Sequence, residues 1–72
     1  MLKEEKIRNL IEEELLGLEY FADMEKTNIY KNDIVEFDRR VQRMSAFYEV
    51  LEEVPSEDVL LIITAAKEKL QQ

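Results

Sequence analysis

The sequence predicts an all-α fold: a long antiparallel helical hairpin plus a shorter third helix, a three-helix bundle expected to dimerise into a larger helical bundle. Three observations predict it. Apolar residues recur at three- and four-residue steps along nearly the whole chain, the period of an amphipathic helix. One Gly and one Pro punctuate 72 residues, so few places can break a helix. No internal repeat or low-complexity tract divides the chain, so residues 1–72 read as a single helical domain with helices at about 2–25, 32–54 and 56–71.

The first helix carries Ile7, Leu10, Ile11, Leu15, Leu18, Phe21, Ala22 and Met24 on one face. At about 100° per residue these fill roughly half the circumference, enough to contact two neighbours. Gly17 lies at the edge of that face, where it lets another helix approach at a cost of ~1 kcal/mol in propensity relative to Ala. Lys26-Thr27-Asn28-Ile29 reads as the loop.

The second helix starts at Asn32 or Asp33, either of which can cap it, and ends before Pro55. Tyr30, Ile34, Phe37, Val41, Met44, Tyr48 and Leu51 follow an unbroken alternation of four- and three-residue steps, the seam of a left-handed bundle. Phe47 and Val54 are expected to widen it on one side.

Ser56 offers a cap for the third helix, and Glu57 and Asp58 place two carboxylates in its first turn, where the helix dipole favours them. The run Val59-Leu60-Leu61-Ile62-Ile63-Thr64 is apolar and β-branched enough to form a strand. With a capping signal before it and no second strand to pair with, it reads as helix. The first two helices, each at least ~30 Å long, must form a hairpin because their connection is short, and the third packs across them.

A domain of this size is stabilised by roughly 4–11 kcal/mol, and small domains usually need a staple. With no Cys and no His, disulfides and zinc sites are excluded, which leaves helix packing and self-association. No apolar run approaches the roughly 20 residues that span a bilayer. The first residues, Met1-Leu2-Lys3-Glu4-Glu5-Lys6, lack the pattern of a signal peptide. A cytoplasmic location is the expectation.

The same missing residue types bear on chemistry. Without His or Cys, the commonest general base and the best thiol nucleophile are both lacking. Carboxylate di-metal bundles pair Glu with His, and no Gly-rich phosphate loop is present. No enzyme activity, catalytic residue, cofactor or metal is therefore expected.

A net charge of −7 opposes binding to nucleic acid or to an anionic membrane surface. Arg39, Arg40 and Arg43 form the one basic cluster, but Glu36 lies at helical ion-pair distance from the first two. Glu14 falls inside the apolar arc of the first helix, where an unpaired carboxylate is expensive. A hairpin turning near residue 28 places position 14 opposite 43, so Arg43 is expected to neutralise Glu14 as a structural ion pair.

Two acidic stretches, Glu12 to Glu25 and Glu49 to Asp58, contain no basic residue. Glu49, Glu52 and Glu53 also crowd a helix C-terminus, where the dipole disfavours anions. An ordinary solvated face is the plainer account; a surface kept for a basic partner is the functional one.

Leu2, Leu16, Tyr20, Val35, Val50, Leu60 and Leu61 project from otherwise polar sides of their helices, more than a three-helix monomer easily hides. The expected function is thus a non-catalytic protein–protein interaction module, a small regulator, adaptor or assembly subunit. Its partner-binding candidates are Leu16, Tyr20, Val50, Leu60, Leu61, Glu49, Glu52 and Glu53, its partner a protein, basic if the carboxylates make the contact, and a homodimer is expected. The alternative is an acidic DNA-mimic-type inhibitor of a nucleic-acid-binding protein.

Overall fold

The computed structural model describes residues 2–24 and 29–71, which form three helices in up-down-up order. They are α1 (Lys3–Asp23), α2 (Lys31–Leu51) and α3 (Glu57–Leu70). Residues 26–28 of the expected loop lie outside the described residues.

The caps explain where each helix starts and stops. Helix α1 carries Glu4 and Glu5 in its first turn, complementing the dipole. At α2 the N-cap is Tyr30, ahead of the expected Asn32 or Asp33. Asp33 caps backwards instead: three residues into the helix, its carboxylate accepts the Tyr30 backbone N–H at 3.1 Å, the return half of a capping box. Ser56 caps α3 as expected, its Oγ accepting the Val59 N–H at 3.4 Å. Glu57 and Asp58 at one end and Lys67 and Lys69 at the other both suit the dipole, so Val59–Thr64 is helical.

Helix α2 stops at Leu51, three residues before the expected end. The reason is a left-handed residue, Glu52, at φ 56° and ψ 39°. Around it the Glu53 N–H bonds to the Tyr48 carbonyl and the Glu52 N–H to that of Glu49, both at 3.0 Å, a Schellman-type closure that Gly normally occupies. With Glu in that place, no glycine marks the stop. Val54 consequently lies beyond the helix, 86% exposed, and does not widen the seam. Glu52→Gly removes both the left-handed strain and an anion at the negative end of the dipole, so it should stabilise the fold by about 1 kcal/mol. A urea midpoint that falls on this substitution would contradict the assignment.

Helix α1 is the centre of the molecule. It packs along both α2 and α3, while those two meet each other over a much shorter stretch. Leu18 of α1 and Met44 of α2 are fully buried, with Ile11, Phe21, Phe37, Val59, Ala66 and Leu70 around them. The expected α2 seam divides accordingly. Phe37 and Met44 are buried against α1, but Tyr30 is 59% and Ile34 45% exposed, and Val41 and Tyr48 are only partly covered. Ile34 borders the end of α3, in a depression with Lys67, Leu70 and Gln71, whereas Tyr48 borders Arg8, Ile11, Glu12 and Leu15 of α1; α2 and α3 touch too briefly to cover the row between.

The result is elongated, 42 × 22 × 16 Å. Its radius of gyration of 12.8 Å exceeds the roughly 11 Å of a compact chain of this length.

Candidate functional site

The hairpin is held by a buried charge cluster. Glu14 has a side chain only 10% exposed, because its place in the apolar arc of α1 points it at α2. Arg43 donates to it from Nε at 2.6 Å and from Nη2 at 3.2 Å, and Arg40 donates from Nη1 at 3.0 Å. Arg40 also reaches Glu36 at 3.1 Å, one turn back on its own helix. The hydrogen bond to Glu14 holds the Arg43 guanidinium above its usual range. One polar atom in the cluster, Arg40 Nε, is buried without an acceptor.

Gly17 belongs to this cluster. A Cβ there would lie 2.4–2.5 Å from Cζ, Nε and Nη1 of Arg40, so the guanidinium lies flat over the glycine. The expected close approach is therefore made by one side chain. A methyl group at position 17 would push Arg40 off Glu14.

A second pair ties the open ends of the hairpin. Arg8 donates to both carboxylate oxygens of Glu53, from Nη1 at 3.1 Å and from Nη2, and also bonds Glu4 one turn back. Arg8 holds the Glu53 carboxyl below its usual range, and the two carboxylates raise Arg8 in turn. Glu53 was expected to face a partner; it is engaged within the chain. The sequence reading missed Arg8 because nothing distinguished it from a solvated residue.

The remaining partner-binding candidates fall in separate places. Leu16 and Tyr20, 66% and 68% exposed, lie one turn apart on the outer side of α1. The Tyr20 ring stands edge-on to buried Phe21, centroids 5.9 Å apart, which fixes its base against the core. Beside Leu16 a shallow depression is lined by Glu12, Leu15, Leu16 and Glu19. Val50 sits at the base of the hairpin, in a depression with Lys3, Glu4, Ile7 and Leu51. Glu49 is exposed near the end of α2, and Glu52 forms the turn after it.

Leu60 and Leu61 are both exposed, but adjacent helical residues diverge by about 100°. Leu60 shares a face with Ile63, Lys67 and Leu70. At the far end of that face, Lys67, Leu70 and Gln71 line a depression together with Ile34, Phe37 and Asp38 of α2. Leu61 lies on the other side of α3.

Among the described residues no group of acidic side chains is placed to hold a metal ion, and no helix is long and apolar enough to cross a membrane. What the surface can do chemically is offer apolar side chains in two electrostatic settings. Around Leu16 and Tyr20 every charged α1 residue from Glu12 to Asp23 is acidic, whereas the α2–α3 side carries both signs. No protein-family model matches the chain, and no curated protein or solved structure matches it.

Proposed function

We propose that the chain is a non-catalytic interaction module, a small regulator, adaptor or assembly subunit, that uses the outer face of α1 to hold a basic, amphipathic segment of another protein. One observation carries this reading. Leu16 and Tyr20 stand two-thirds exposed, one turn apart, framed by Glu12, Glu13, Glu19 and Asp23. Those carboxylates have no cation on their own helix between Arg8 and the end of α1. Apolar anchors in an acidic frame suit a partner helix with leucines on one side and lysines on the other.

The basic cluster of α2 supports the same assignment. Arg40 and Arg43 are engaged with Glu14, so the nucleic-acid reading retains Arg39 and little else. A cytoplasmic setting, where a cysteine-free chain loses nothing, fits this role.

The competing reading is a DNA mimic acting through the acidic stretches, and salt distinguishes the two. A synthetic helical Leu/Lys peptide should bind the protein at low ionic strength and retain part of its affinity at physiological salt. Leu16→Ser with Tyr20→Ser should lower that affinity about tenfold or more, while Leu61→Ser should leave it unchanged. Affinity that collapses with salt and ignores Leu16 and Tyr20 would favour the mimic; no binding at low salt would overturn the proposal.

A further inference from the structure

Three helices leave a row of side chains on α2 and another on α3 incompletely covered. On α2 it runs Ile34, Asp38, Val41 and Ser45. On α3 it runs Leu60, Ile63 and Lys67 and ends on buried Leu70. Both follow three- and four-residue steps, the spacing of a bundle seam. The two rows face the same groove: at one end Ile34, Phe37 and Asp38 line a common depression with Lys67, Leu70 and Gln71. Along the rest of it α2 and α3 make little contact, leaving Ile34 45% and Leu60 50% exposed.

We infer that a second copy of this chain covers this groove, giving a two-fold dimer that is independent of the partner proposed for α1. Charge selects that occupant.

The chain as a whole carries −7, and the outer face of α1 is acidic throughout, so two copies meeting there would repel. The groove is balanced: Lys31 and Glu49 flank the α2 row, and Asp38 and Lys67 lie within the rows. A two-fold axis perpendicular to α2 near Arg40 and Val41 carries the Lys31 end of one copy onto the Glu49 end of the other. That operation sets Lys31 of each chain beside the partner copy's Glu49, two complementary pairs from one self-complementary surface. Ile34, Val41 and Leu60 become core residues of the resulting six-helix assembly.

Sedimentation equilibrium on the full chain tests this, with circular dichroism to show that each variant remains folded. The wild type should be dimeric at about 100 μM, and its melting temperature should fall on dilution. Ile34→Glu and Leu60→Glu, both at half-exposed positions that a monomer tolerates, should each weaken the dimer about tenfold or more. Lys31→Glu should weaken it as well, and the double variant Lys31→Glu/Glu49→Lys should recover it. Leu61→Ser, on the other side of α3, should change nothing. A wild type that stays monomeric at that concentration would overturn the inference. So would a dimer indifferent to Ile34 and Leu60 but lost on Leu16→Glu.

Discussion

Phe37→Ala should destabilise the fold by roughly 3–5 kcal/mol, the range for truncating a buried aromatic side chain. Phe37 is 7% exposed and packs in the cluster with Leu18, Phe21 and Met44. The total available is about 4–11 kcal/mol, so this one truncation removes a large share of it. Ile34→Ala, one step back on the same heptad row, is the informative comparison. Ile34 is 45% exposed, and its truncation should cost about 1 kcal/mol or less in the monomer. Urea denaturation of both variants at low protein concentration separates the two sub-rows of α2; equal losses would mean that α1 and α3 cover the helix equally.

Glu14→Ala should be the most damaging substitution of a charged residue, at about 2–4 kcal/mol. The full cost of breaking a buried ion pair is roughly 3–5 kcal/mol. It is discounted here because the Arg43 side chain is 51% exposed and recovers water. Arg40, with a side chain 24% exposed, recovers less, and its Nε already lacks an acceptor. Replacing Glu14 together with the more buried of its two arginines, Glu14→Leu with Arg40→Leu, should restore most of the loss, since Arg43 can reach water and a buried pair is often no more stabilising than apolar residues of similar volume. A double variant as unstable as Glu14→Ala would show that the cluster supplies net stability rather than hairpin register.

The architecture was legible because it rests on periodicity. Half of the α1 circumference is apolar, which required two neighbours, and α1 is the helix that has them. The details that escaped the sequence are those set by geometry between helices. The α2 seam looked uniform because apolar spacing does not record how far a shorter third helix reaches. The end of α2 was misplaced because a Glu occupies the left-handed position where Gly would have marked the stop.

The charge cluster was legible in part. Opposing position 14 to position 43 also opposes 17 to 40, and Gly17 faces Arg40. That correspondence was available from counting alone, but Arg40 had an adequate explanation in its pair with Glu36. Arg8 and Glu53 escaped for a related reason: two exposed charges at the ends of long helices have no pattern until the hairpin is closed. Of the candidate contact residues, exposure was readable for Leu16, Tyr20, Val50, Leu60 and Leu61. Their division among separate surfaces was not, because it depends on which side of α1 each neighbouring helix takes.

The chain is proposed to present two surfaces of different character, an acidic one on α1 for a basic partner and a balanced groove between α2 and α3 for a second copy of itself. Amide chemical-shift mapping of the isotope-labelled protein, titrated with the Leu/Lys peptide at physiological salt, tests it most directly. Perturbations gathered at Glu12, Leu16, Glu19 and Tyr20, with Val41, Ser45 and Leu60 unmoved, are the predicted result; shifts along the α2–α3 groove with α1 silent would contradict it.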